Sequence, residues 1–157
     1  MSEGAPIVGV LTASPAELAV MQRATAILEK LEVPHETRVM SSSRSPDVVD
    51  EYARTAFERG LKVLICTTGI SGHLAAAMAA RTILPVIGVP IASEQMEGKM
   101  ALYITAQMPS GVPVAAVGVD AAVNAALLAA QIAALGDGEL QVRLWRFKDD
   151  LAEGLRL

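Results

Sequence analysis

Short, near-continuously apolar runs alternate with helical segments along this chain, and that alternation restricts the fold more than any other feature. A strand with one wet face alternates apolar and polar residues. A strand apolar throughout is covered on both faces, which is the habit of parallel sheets. Strands are predicted at Ile7–Thr12, Pro34–Met40, Lys62–Thr67, Leu84–Pro90 and Val112–Val119. Between them, Ser14-Pro15-Ala16-Glu17 reads as a helix start: a serine N-cap, proline in the first turn and a capping-box glutamate. That helix would run to about Leu31. Others are predicted from Pro46 to near Gly60, His73 to Arg81, Gly98 to Ala106, and from an Asp120 cap to about Ala134. A last, more charged helix should run from Glu139 to about Gly154. The pattern predicts an α/β fold, a three-layer sandwich with a parallel sheet at its centre.

At 157 residues the chain has the size of one domain, 1–157. Its core should be aliphatic, because 52% of residues are apolar but only 3% aromatic. The net charge of −4 with dispersed basic residues argues against nucleic-acid binding. One cysteine, Cys66, excludes an internal disulfide, fits a reducing compartment and reads as a small buried residue in its apolar run. The start Met1–Pro6 lacks the basic and apolar regions of a signal peptide. The stretch Ala121–Leu135 is too short, and too interrupted by Asn124 and Gln131, to span a membrane. A cytoplasmic protein with no membrane partner is expected. The last helix carries the only tryptophan, Trp145, and its apolar positions need cover, either from the protein's own sheet or from a partner subunit.

In folds of this kind ligands bind at the carboxyl ends of the strands. The loops Thr12–Glu17, Ser41–Pro46 and Thr67–His73 lie at those ends and should converge. Ser41-Ser42-Ser43-Arg44-Ser45-Pro46 is rich in hydroxyls, contains one arginine and opens a helix, features that suit a phosphate. Arg44 is the leading anchor, since a guanidinium grips phosphate in bidentate fashion. Its plainer role would be a solvated arginine beside a serine helix cap. Ser14 suits both a cap and a phosphate donor. Glu17 could accept from ribose hydroxyls or only complete the capping box. His73 begins a helix at the mouth of the expected site and could donate to an anionic ligand. His35 should lie on a strand away from the loops. No metal-ligand spacing, P-loop, dinucleotide fingerprint or nucleophile elbow occurs.

Taken together the loops and several scaffold segments resemble the phosphoribosylaminoimidazole carboxylase (PurE) family, whose members include the carboxyaminoimidazole ribonucleotide mutases of purine biosynthesis. The likeness runs from Val8-Gly9-Val10 to the C-terminal helix. It is carried by Ala53-Arg54-Thr55-Ala56, Leu84-Pro85-Val86-Ile87-Gly88-Val89-Pro90, Gln107-Met108-Pro109, Gly111-Val112-Pro113-Val114 and Asn124–Ile132. The resemblance implies a flavodoxin-like core, a homo-octamer contacted through its protruding C-terminal helices, and no metal or organic cofactor. It implies a small-molecule ribonucleotide of the aminoimidazole type. The family's chemistry moves a carboxylate between an exocyclic nitrogen and a ring carbon, or carboxylates the ring with CO2, while a histidine shuttles the proton.

The departures from the family pattern are concentrated in the site. The first loop, Gly-Ser-x-Ser-Asp in the family, is Ala13-Ser14-Pro15-Ala16-Glu17 here. Ser14 keeps its hydroxyl and Glu17 its carboxylate, one methylene longer. In the second loop, Ser-Ala-His-Arg-Thr-Pro in the family, Ser41 and Arg44 match, but Ser43 stands at the histidine's position. An imidazole titrates near neutral pH and an unactivated serine does not; losing a general acid–base group costs about a hundred- to ten-thousand-fold in rate. The third loop, Gly-Ala-Gly-Gly-Ala-Ala-His-Leu-Pro-Gly in the family, is Thr67-Thr68-Gly69-Ile70-Ser71-Gly72-His73-Leu74-Ala75-Ala76. The resemblance makes Gly69, Ile70, Ser71, Gly72 and Leu74 substrate-lining. With His73 and Ser43 as the catalytic candidates, it leaves Ser14, Glu17, Ser41 and Arg44 as the phosphate and ribose half. Met100-Ala101 replaces an Asp-Ser pair in a fourth segment. Two readings stand level: a diverged carboxylase- or decarboxylase-like enzyme on a related substrate, and a non-catalytic octameric paralogue or scaffold. The alternative is a working mutase.

Overall fold

Every residue of β1 (Val8–Thr12), β3 (Val63–Thr68) and β4 (Val86–Pro90) is buried, as their apolar composition requires. In the computed structural model, which describes residues 4–69, 72–93 and 97–156, these strands form the middle of a five-stranded sheet. The edges are β2 (His35–Val39) and β5 (Ala115–Ala116), and the order is β2-β1-β3-β4-β5 with every pairing parallel. This is the flavodoxin-like order. Residue alternation splits the core in two. Val8, Val10, Val63, Ile65, Ile87 and Val89 face one layer, whereas Leu11, Leu64, Cys66 and Val86 face the other.

The first layer holds α1 (Leu18–Lys30), α5 (Ala122–Ala133) and α6 (Gly138–Ala152). α5 buries Ala122, Ala125, Ala126, Ala129, Ala130 and Ala133, a face of methyl groups laid on the sheet and on α1. The second layer holds α2 (Pro46–Thr55), α3 (His73–Ala79) and, over β4 and β5, α4 (Gly98–Ala106). Gly9 admits α2: a Cβ there would lie 2.6 Å from the Tyr52 hydroxyl and 2.9 Å from Leu64 Cδ2. α6 buries Leu140 and Phe147 in the first core, and Arg143 Nε donates to the Leu31 carbonyl at the end of α1 (2.8 Å). Trp145, 72% exposed, and Val142, 65% exposed, point the other way. Among the described residues no helix is long and apolar enough to cross a membrane.

Several local expectations need correction. The fifth strand shrinks from Val112–Val119 to Ala115–Ala116, because Pro113 has no N–H to donate and no strand pairs beyond this edge among the described residues. Asp120 does not cap α5. With φ at +53° it turns its Oδ1 to the Ala92 N–H (3.1 Å), tying the end of β4 to the start of α5. Regular α2 stops at Thr55 and continues as turns to Gly60, whose φ of +91° ends it. The first helix opens with a separate 3-10 turn, Pro15–Glu17. Ser14 does cap that turn, accepting from the Ala16 N–H (3.1 Å), but Glu17 bonds one residue short of the capping-box position, at Ala13.

Candidate functional site

Order 2-1-3-4-5 reverses direction between β1 and β3. The chain leaves β1 toward one helical layer and β3 toward the other, which opens a crevice at their carboxyl ends. A cleft of about 450 Å³ lies there. The loop after β1 supplies Ser14 and Glu17; the loop after β2 supplies Ser41, Ser43 and Arg44; the loop after β3 supplies Gly69, Gly72, His73 and Leu74. These residues, drawn from three separate loops, were expected from the sequence to meet, and all of them line this one cleft. Ile70 and Ser71 lie outside the described residues. Met100, 52% exposed on α4, does not line the cleft, and His35 sits at the start of β2, at the opposite end of the sheet.

The second loop is held by its own serines. The Ser41 hydroxyl accepts from the Arg44 N–H (3.3 Å), and the Ser45 hydroxyl donates to the Ser41 carbonyl (3.0 Å). Ser45 thus turns back into the loop, and the side-chain cap expected for α2 is not made. Pro46 stands in the first turn of α2, where the missing N–H costs nothing. The exposed Arg44 side chain crosses to the first loop and donates from Nη2 to the Ala13 carbonyl (2.7 Å). The rest of that guanidinium fork has no recorded partner among the described residues and stands at the cleft with the Ser14 and Ser43 hydroxyls.

The third loop relies on Gly72. Its φ of +60° and a Cβ position only 2.8 Å from Ile104 Cγ2 exclude larger residues where α4 crosses. That turn delivers His73 as the first residue of α3, solvent-exposed and on the cleft wall, while Leu74 behind it is buried in the second core. Cys66, one strand position before the cleft, is fully buried, and burial pushes its thiol well above the ordinary range. It is a core residue.

Thr67 was not singled out from the sequence, where a threonine ending a β-branched strand looks like core. It is 1% exposed, yet its hydroxyl reaches the cleft floor and donates to Glu17 Oε2. Ala92 and Ser93, after β4, also line the cleft. No group of three or more His, Cys, Asp or Glu placed to hold a metal occurs among the described residues.

Comparison with known proteins follows the same outline. The profile of the AIR carboxylase family matches residues 7–154. The N5-carboxyaminoimidazole ribonucleotide mutase of Pyrococcus abyssi is 45% identical over 148 residues, covering 94% of this chain and 85% of that protein. The Bacillus subtilis protein of the same name is 47% identical over 141 residues, covering 88% and 87%. A crystal structure of Treponema denticola PurE superposes with a TM-score of 0.84 at 25% identity over 94% of this chain and 92% of that one, a likeness of fold. A profile match this long, joined to relatives above 40% identity along most of their length, settles descent: the chain belongs to the AIR carboxylase family.

Proposed function

We propose that the protein binds a phosphorylated aminoimidazole ribonucleotide in this cleft and acts as an N5-carboxyaminoimidazole ribonucleotide mutase of purine biosynthesis. The observation that carries the reading is the identity of 40–47% to proteins of that name along most of the chain. It moves the weight from the diverged readings, which the loops alone favoured, to the ordinary one. Supporting it, the three loops place phosphate-type donors and one imidazole in a single cleft. In the net reaction one N–C bond breaks, one C–C bond forms, and one proton moves from ring carbon to exocyclic nitrogen. His73 carries that proton. Ser14, Ser41 and Arg44 hold the phosphate, Glu17 accepts from the sugar, and Ser43 donates to the migrating carboxylate. Gly69, Ile70, Ser71, Gly72 and Leu74 shape the space for the base. The proposal includes a single domain over 1–157, a cytoplasmic homo-octamer contacted through α6, and chemistry without a metal or organic cofactor.

One observation favours a second reading, a paralogue that binds the nucleotide without turnover. Ser43 lines the cleft where the family pattern has its histidine, and a serine hydroxyl is a poor proton carrier at neutral pH. Incubation with N5-carboxyaminoimidazole ribonucleotide, followed by ring absorbance, decides between them. The mutase reading expects turnover that falls about 10²- to 10⁴-fold in His73→Ala, with ribose 5-phosphate binding retained. No turnover with normal ribose 5-phosphate binding, and activity gained in Ser43→His, would establish the second. In either case Arg44→Ala should weaken ribose 5-phosphate by about tenfold or more; unchanged affinity would remove Arg44 as the anchor.

A further inference from the structure

We infer that Thr67 is a positioning residue for the sugar: it fixes the Glu17 carboxylate so that one oxygen stays presented to a ligand hydroxyl. The inference rests on the phosphorylated-ribonucleotide reading of the cleft.

Three groups close a ring at the cleft floor. The Ala13 N–H donates to Glu17 Oε2 (2.9 Å) and shares its hydrogen with Thr67 Oγ1 (3.2 Å), while the Thr67 hydroxyl donates to the same Oε2. Strand alternation places Thr67 for this. It follows Val63 and Ile65 on the sheet face that carries α1, one position beyond the Leu11↔Cys66 pair that sets β1 against β3. The carbonyl of the same residue, Ala13, accepts from Arg44 Nη2. Both donors fall on Oε2. Oε1 has no recorded donor among the described residues and is aimed at the third loop, where a Cβ on Gly69 would lie 3.0 Å away. A carboxylate with one oxygen taken by two donors and the other facing a cleft is an acceptor waiting for a hydroxyl.

A single backbone donor would leave the flexible glutamate free to rotate about that bond. The second donor, from a side chain that is 1% exposed, fixes the plane. The two sequence departures are therefore complementary: the carboxylate is one methylene longer than the family's aspartate, and a threonine stands where the family has glycine. Each supplies what the other needs.

Titration calorimetry with ribose 5-phosphate and with inorganic phosphate tests this without requiring turnover. Thr67→Val keeps the shape and removes the hydroxyl. It should weaken ribose 5-phosphate about tenfold, the loss expected for one charge-assisted hydrogen bond, and leave inorganic phosphate unchanged. Thr67→Ser should restore wild-type affinity. In a Glu17→Asp background, where the carboxylate stops short of Thr67, Thr67→Val should cost nothing further. Thr67→Ala gives the same readout if the valine variant does not fold. Unchanged ribose 5-phosphate affinity, equal weakening of both ligands, or additive effects in the double variant would each overturn the inference while leaving the function reading intact. Wild-type protein that binds neither ligand would overturn both.

Discussion

Glu36 gathers more donors than any other carboxylate described in this structure. It leaves β2 only 13% exposed, accepts from the Tyr52 hydroxyl (2.8 Å) and pairs with Arg38 (3.1 Å) and Arg59. Arg59 in turn lies over the Tyr52 ring, 4.9 Å from its centroid. Burial pushes the Glu36 carboxyl up, but the bonds from Tyr52, Arg59 and Arg38 outweigh it and hold the group below its ordinary value of 4.5. Burial, then the Glu36 bond and charge, push the Tyr52 phenol up, so it remains a donor. A lowered carboxyl stabilises the fold above its unfolded pKa, and that contribution is lost as pH falls through the folded value. The stability gap between wild type and Glu36→Gln, from urea midpoints, should therefore be full at about pH 7 and close toward about pH 3. A gap independent of pH would show that the charge contributes nothing. At this scale the sequence was legible where a side chain's chemistry is unusual for its place. Arg44, Ser14, Glu17 and His73 stood out in loops of small residues. Thr67 and Glu36 did not, because a threonine and a glutamate in strands carry no mark of what lies across the sheet.

Two helix ends show the same contrast between elements. After α1 the Glu32 N–H donates to the Glu29 carbonyl (2.9 Å) and the Val33 N–H to the Leu28 carbonyl (2.8 Å), a Schellman stop that needs a left-handed residue. Glu32 fills that place with φ at +53°. Gly60 fills the equivalent place after Thr55 and was readable as a stop. Glutamate gives no such signal, although the helix was expected to end at about Leu31. Left-handed backbone costs a non-glycine residue about 1–2 kcal/mol, while glycine's looser unfolded chain returns about 0.4–1 kcal/mol of that. Glu32→Gly should then stabilise by about 0.5 kcal/mol, visible as a small rise in thermal midpoint; a fall would mean that the glutamate side chain contributes more than its backbone costs. β5 was overestimated for a related reason. Alternation of small and branched residues around Pro113 and Gly118 mimics a strand, but a sheet edge offers hydrogen bonds on one side only.

For the whole molecule, the layered sheet was legible because its period is written in β1, β3 and β4, whose residues meet core on both sides. The covering of α6 was not, since sequence alone could not divide its apolar residues between this chain and another. Leu140 and Phe147 go inward; Val142, Trp145 and the neighbouring Leu135, 84% exposed, do not. If α6 is the proposed subunit contact, the lone indole reports on it directly. Its emission should shift to shorter wavelength as the protein is concentrated, and Trp145→Glu should sediment as a smaller species. Emission typical of a wet indole at every concentration would exclude the contact. The methyl-only face of α5 has a different consequence, one for how such a protein can change. Nothing beyond Cβ is present at those six buried positions, so truncation has almost nothing to remove and nearly every substitution adds bulk between helix and sheet. Ordinary cores fail by emptying as well as by crowding. At those six positions of α5 this one can fail almost only by crowding, which makes mutation there a one-way pressure on the spacing between the sheet and its alanine-faced helical cover.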